Sequence, residues 1–388
     1  PNSFDILAWT MVYFFLVKYI ATDKFKWILF LFLSGVLGFY NKYNITFLFV
    51  GLFTGMLLSK HVNLFSKRYF WKVVLLSLLL LLPNIIWQIT HHFPVIMHMR
   101  ALSNYQLVNN SAVGFLMSQI PIIMGSLPLV VASLIAFWTY KPFKPFRIIG
   151  ISFIVTIGIF SYFKAKDYYA LGLYPVLFAF GSVYLEKLLS GKWLRYIRPL
   201  PILFNVLIFM SIAKYLFPVL SPQQIVENKA MFEKIGLLRW EDGKDHPLPQ
   251  DFSDMLGWQE MADKVQLAYK TIPKDELNKT IIFCDNYGQC GALNYYNRNK
   301  TPESYAFNTD HIFWIPRLDT IQNIVFVGKK PDNKVLDWFT DCKYMGRVES
   351  EYSREKGTAI YILTGSKTGF TELFYQIATE RKKKFDIF

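Results

Sequence analysis

Lys164-Ala165-Lys166-Asp167-Tyr168-Tyr169 places two cations and two phenols between two apolar segments. Such a turn suits an anion, because ammonium groups give phosphate charge-assisted hydrogen bonds and tyrosine hydroxyls add neutral donors. The alternative is a pair of lysines that end a helix by reaching to the membrane interface. His91, His92, His98 and Arg100 form a second polar group after Trp87, with a plain solvated loop as the other reading. No carboxylate or cysteine lies beside those histidines, so no metal is expected there. Lys42, between two short apolar runs, fits an interface as well as a ligand. Residues 1–220 hold four acids, Asp5, Asp23, Asp167 and Glu186, and no acid/base dyad or metal-ligand cluster is expected from them.

These residues are set among elements of unusual composition. The chain is 53% hydrophobic and 18% aromatic, far from the range of a soluble globular domain. Apolar runs at roughly 5–20, 27–40, 44–59, 69–88, 113–138, 146–163, 168–188 and 199–219 give about eight spans. The second and third runs are short and separated by Asn41-Lys42-Tyr43, so a broken element or two half-depth helices are alternatives. Pro83, Pro121, Pro128 and Pro175 fall inside apolar runs, where neighbouring helices can re-satisfy the freed carbonyls.

The whole net charge of +14 belongs to this half, where 19 Lys/Arg face the four acids. Nucleic acid is excluded as a partner because the excess lies in short loops between apolar runs. One alternate set of loops holds 13 basic residues: Lys24, Lys26, Lys60, Lys67, Arg68, Lys72, Lys141, Lys144, Arg147, Lys187, Lys192, Arg195 and Arg198. The other holds Lys42, Arg100, Lys164 and Lys166. The bias predicts the first set in the cytoplasm, with residue 1, the 41–43, 89–112 and 164–167 loops and everything after about 220 outside. The chain opens on Pro1 rather than Met, and an outward start predicts one or three further spans upstream.

Residues 221–388 lose the apolar runs and read as an extracytoplasmic α/β domain. Strands are predicted at 281–283, 323–327 and 358–363, and helices at 257–271, 288–297, 332–340 and 368–382. Cys284 and Cys290 could pair across a strand-to-helix turn, or remain free buried thiols like Cys342. Asn286, Tyr287 and Gln289 could meet an acceptor glycan, although Gly288 and Gly291 also suit a plain turn.

A cationic turn facing outward at the membrane suits the phosphate of a lipid-linked donor. The order Gly35-Val36-Leu37-Gly38-Phe39-Tyr40-Asn41-Lys42-Tyr43, then Pro83-Asn84-Ile85-Ile86-Trp87-Gln88-Ile89-Thr90-His91, then Lys166-Asp167-Tyr168-Tyr169 with Tyr174-Pro175 and Phe178-Ala179-Phe180-Gly181, resembles bacterial glycosyltransferase family 39. These are GT-C class membrane enzymes, similar to protein O-mannosyltransferases and lipid A aminoarabinose transferases. The likeness continues through Asn286-Tyr287-Gly288-Gln289-Cys290-Gly291-Ala292.

The resemblance implies a GT-C-like multi-span helical protein in a bacterial inner membrane. It implies sugar transfer from a polyprenyl-phosphate donor to a protein or glycolipid acceptor on the outer face, in one displacement with inversion. Lys166 matches the lysine that meets the donor phosphate, with Lys164, Tyr168 and Tyr169 around it. Lys42 matches the lysine of the family's Gly-Leu-x-x-x-Lys element, and His91 a histidine after a Trp-Asn element that reads Trp87-Gln88 here. The family's catalytic aspartate lies in its first outward loop, so it is expected upstream of Pro1 and no catalytic residue is assigned within this chain. Asp167 is expected to orient the lysines. No cofactor beyond the lipid-linked donor is implied, and no metal. Two other classes stand against this. A multi-span transporter lacks support from internal repeats, and a membrane sensor with an extracytoplasmic ligand domain needs far fewer spans.

Overall fold

The structure, a computed structural model, describes residues 2–105, 107–191 and 193–384, so Pro1 and the loop lysine Lys192 lie outside it. The chain divides into two compact units, residues 1–87 with 106–216 and residues 88–105 with 217–388.

The elements run α1 (Asn2–Thr22), α2 (Phe25–Asn41), α3 (Ile45–Leu57), a 3-10 helix (Lys60–Ser66), α4 (Arg68–Thr90), α5 (Pro94–Tyr105), α6 (Ala112–Ile123), α7 (Leu127–Thr139), α8 (Arg147–Tyr162), α9 (Tyr174–Leu188) and α10 (Pro199–Leu216). Of these, α5 clusters with the second unit. Among the described residues, six segments are long and apolar enough to cross a membrane: Asn2–Thr22, Arg68–Thr90, Ala112–Thr139, Lys141–Tyr162, Asp167–Leu188 and Leu194–Leu216. The other two predicted runs differ in kind. α2 has only 17 residues, and α3 turns by 104° into the 3-10 helix, giving a broken element.

Proline chemistry explains another break. Pro83 and Pro121 sit inside α4 and α6, whereas Pro128 and Pro175 occupy the first turns of α7 and α9, where a missing N–H costs nothing. The run at 113–138 is therefore α6 and α7 joined through the 3-10 turn Met124–Ser126.

Loops of the helical unit gather at two ends. Lys67 pairs with Asp23 at 2.7 Å and the His61 ring meets the Pro145 carbonyl at 2.7 Å, which joins three Lys/Arg-rich loops at one end. At the other, Lys42 lies over the Tyr168 ring and the Asn110 amide donates to the Lys164 carbonyl at 3.3 Å. Small residues bring α3 onto α8. A Cβ on Gly51 would stand 2.7 Å from the Ser152 carbonyl oxygen, and one on Gly55 2.8 Å from that of Ile148. This is the close approach that small residues four apart allow in membranes.

The second unit contains one five-stranded sheet: β1 (Thr280–Cys284), β2 (Ser304–Ala306), β3 (Asn323–Gly328), β4 (Phe339–Arg347) and β5 (Ala359–Ser366), in the order β2-β1-β3-β5-β4. β1 runs parallel to β2 and β3, while β5 is antiparallel to β3 and β4. Alternate residues face opposite layers. Ile282, Cys284, Val325 and Val327 pack with Met261, Val265 and Leu293 on one side, and Ile281, Phe283 and Ile324 with Phe370 and Phe374 on the other. A strand covered on both faces carries no polar alternation, hence the continuous apolar run of β1.

Predicted helices at 257–271, 288–297 and 368–382 are found as Trp258–Lys270, Tyr287–Tyr296 and Phe370–Lys384. The helix predicted at 332–340 is not. Asp332 caps only the turn Asn333–Leu336, and the chain enters the edge strand β4 at Phe339. There Asp341, Lys343 and Arg347 supply the charges that keep a sheet edge from pairing further. All three cysteines are free, with Cys284 and Cys290 buried.

Candidate functional site

The site begins with Lys42, the residue that ends α2. Its backbone N–H closes the helix onto the Gly38 carbonyl at 2.7 Å. Its Nζ donates to Asn2 Oδ1 at 3.1 Å and stands 4.7 Å and 4.4 Å from the ring centres of Tyr168 and Tyr169. Each such cation–π contact contributes on the order of 0.5–2 kcal/mol. Half-burial pushes the Lys42 ammonium below the ordinary lysine range; the Asp5 carboxylate opposes this and the charge of Lys166 adds to it. Lys42, Lys166, Tyr168 and Tyr169 are thus brought together.

Asp5 is the residue that spacing did not single out. It lies on the first turns of α1, 4% exposed, and accepts from Trp9 Nε1 at 3.0 Å through one oxygen and from Asn44 Nδ2 at 2.9 Å through the other. Trp9 is one helical turn further on and fully buried, with Gly172 against it: a Cβ there would lie 2.5 Å from the indole. Asn44 is 6% exposed, and its Oδ1 has no partner among the described residues. The carboxylate therefore holds the turn that carries Lys42, with an indole behind it.

The 164–169 turn has its own supports. Lys164 adopts a left-handed φ of 51°, and its side chain is exposed. After it, Asp167–Leu173 forms a 3-10 helix in which Asp167 Oδ1 accepts from the Tyr168 N–H at 2.8 Å. Gln119 on α6 donates to the Asp167 carbonyl at 3.1 Å and is itself held by the Tyr174 hydroxyl at 2.8 Å. Asp167 thus orders the tyrosine turn, next to the lysines that the sequence alone expects it to orient.

His91 falls in the second unit, its ring edge-on to Phe313 at 5.0 Å and bonded to the Thr90 hydroxyl at 3.0 Å. In the sheet domain, Asn286 caps the helix by accepting from the Gln289 N–H at 3.1 Å. Gln289 in turn joins the Asp285 N–H to the buried Glu355 carboxylate. Both side chains serve the turn, and Tyr287 is left exposed.

Two ammoniums, two phenols and a buried carboxylate lie together at one end of an apolar bundle, an arrangement whose chemistry suits an anion. Asp5 limits its net charge, and each Asp5 oxygen already accepts a hydrogen bond, so that carboxylate suits positioning better than proton abstraction. A cue to it was present: an acid one helical turn before a Trp at the start of an apolar run, with Asn two residues past Lys42.

No curated protein and no solved structure matches the chain. Residues 1–87, which carry Asp5, Lys42 and Asn44, match the model of the family described as dolichyl-phosphate-mannose-protein mannosyltransferase, a match that supports a GT-C mannosyltransferase-like membrane glycosyltransferase.

Proposed function

We propose that the protein moves a sugar from a polyprenyl-phosphate donor to an acceptor at the outer face of the membrane, by a single inverting displacement. The observation that carries this is the convergence of Lys42, Lys166, Tyr168 and Tyr169 at one end of the helical unit. Lys42 and Lys166 hold the donor phosphate, the two tyrosines fix the Lys42 ammonium and line the turn, and Lys164 adds charge at the rim. A phosphate between two lysines offsets their mutual repulsion, which adds to burial in depressing the Lys42 ammonium, so ligand and site stabilise one another. The acceptor is a protein or a glycolipid.

The test is donor binding in membranes. Lys166→Ala removes one charge-assisted contact and is expected to weaken polyprenyl-phosphate binding by about 1.5–3 kcal/mol. Lys187→Ala, whose ammonium lies over the Tyr140 ring, leaves binding intact. Equal affinity in Lys166→Ala and the parent protein overturns the assignment.

A further inference from the structure

Cys284 and Cys290 take no part in the site described above, yet they lie together in the sheet domain. Cys284 ends β1 and Cys290 sits in the first turn of the helix Tyr287–Tyr296, both buried in the same apolar layer. Their thiols are within hydrogen-bonding reach of one another, and the His311 ring reaches Cys290. The His311 Nδ1 is buried and has no hydrogen-bond partner among the described residues. The two thiols are not equivalent. A hydrogen bond from Cys284 holds the Cys290 thiol below the ordinary cysteine range, with burial opposing this and His311 adding to it. Burial pushes the Cys284 thiol up. One sulfur is thus suited to attack and the other to resolve, the division that thiol–disulfide exchange needs.

The cover over the pair is thin. β2 is an edge strand of three residues that pairs with β1 alone; its Ala306 lies opposite Cys284, and Ser304 Oγ donates to the Cys290 carbonyl at 3.1 Å. The chain then passes Thr309, at a left-handed φ of 53° that is costly for a β-branched residue, to the short helix that carries His311. A short edge segment of this kind opens locally before the rest of a sheet. We infer that Cys284 and Cys290 form a redox-active dithiol site whose co-reactants are disulfides, with His311 as its proton acceptor. Cys290 gives its proton to His311 Nδ1, and its Sγ attacks one sulfur of the incoming disulfide. That S–S bond breaks, a mixed disulfide forms on Cys290, and the departing thiolate takes the proton from His311. Cys284 then loses its proton, attacks Cys290 Sγ and expels the second sulfur as a thiol. The pair gives up two electrons and two protons, which reduce the co-reactant to two thiols. The new bond ties the first turn of the helix to the end of β1, beside the turn that Asn286 and Gln289 hold. The outward placement predicted for residues 221–388 is a setting in which disulfides persist.

The experiment uses the full chain with Cys342→Ala in lipid nanodiscs, held with glutathione disulfide and read by intact and peptide mass spectrometry. Opening is rare, so a brief alkylating pulse leaves both thiols untouched, whereas a disulfide present throughout a long incubation traps them. The expected product has lost two hydrogens and yields a bridged peptide joining residues 284 and 290. Cys284→Ala is expected to stop at a glutathione adduct on Cys290, and Cys290→Ala to give neither product while folded. His311→Gln is expected to slow closure roughly 100-fold in the folded protein, as loss of a positioned proton acceptor does, and to leave the rate in urea unchanged. Thermal unfolding identifies the variants that fold, and where an alanine variant does not, closure in the parent decides. No closure in the folded parent under conditions that close the urea-unfolded chain overturns the site. Adducts of equal yield in the two alanine variants overturn Cys290 as the attacking thiol, and unchanged closure in His311→Gln overturns the proton acceptor.

Discussion

Replacing Asp5 separates the two roles its carboxylate plays. In Asp5→Ala, the Trp9 indole N–H and the Asn44 amide lose their acceptors in a buried setting. Each orphaned donor costs about 1–3 kcal/mol, so thermal unfolding should shift by a destabilisation of roughly 2–6 kcal/mol. Asp5→Asn behaves differently. The introduced amide oxygen still accepts from Trp9, and Asn44 can turn over to present its unpartnered Oδ1 to the new amide group. Folding is therefore nearly preserved while the charge is lost. The consequence falls on Lys42, whose ammonium is already depressed by burial and by Lys166 and is raised only by Asp5. Without that carboxylate it deprotonates at lower pH. Binding of a polyprenyl phosphate, followed by equilibrium binding in nanodiscs from pH 6 to pH 10, should lose its alkaline limb earlier in Asp5→Asn than in the parent protein. At acidic pH, where Lys42 is charged in both, removal of a nearby negative charge should hold affinity or raise it. An alkaline limb that does not move, in a variant that unfolds like the parent, refutes the coupling of Asp5 to Lys42.

Cysteines introduced at the exposed Ser103 and Ser66 of intact cells should react with an impermeant reagent from outside and from inside respectively, and labelling from one face overturns the orientation. Gly51→Leu should force α3 off the Ser152 backbone and destabilise the helical unit by about 1–3 kcal/mol or more, read as a lower unfolding temperature in detergent; an unchanged temperature refutes the close contact. Of the native thiols, half-buried Cys342 should alkylate first, and buried Cys284 and Cys290 only on denaturation, as mass spectrometry after timed quenching can show.

What could be read from sequence follows the physics of each element. Long apolar runs ended by lysines announce helices in lipid, and β1 and β3 are legible because both faces of the sheet are covered. β4 escapes the same reading because Asp341, Lys343 and Arg347 give an edge strand the composition of a surface turn, and β2 is only three residues long. Within the site, Lys42 and Lys166 were visible as cations where cations are rare. Asp5 was visible only as one acid among four. Its meaning comes from Asn44, which is 39 positions away and meets it only once α1 and α3 are packed. His91 joins the second unit, and a histidine after an apolar span looks the same in sequence whichever unit it joins.

Trp9 does two jobs with one ring: its N–H holds Asp5, and its face leaves room at Gly172 for no side chain. Neither position carries charge, yet a change at one should shift the carboxylate behind Lys42. Over evolutionary time positions 9 and 172 should therefore drift as a pair, a larger residue at 172 being tolerated only where a smaller donor has replaced the indole. Variation at this apolar contact would then tune the ionisation of a lysine that never touches it.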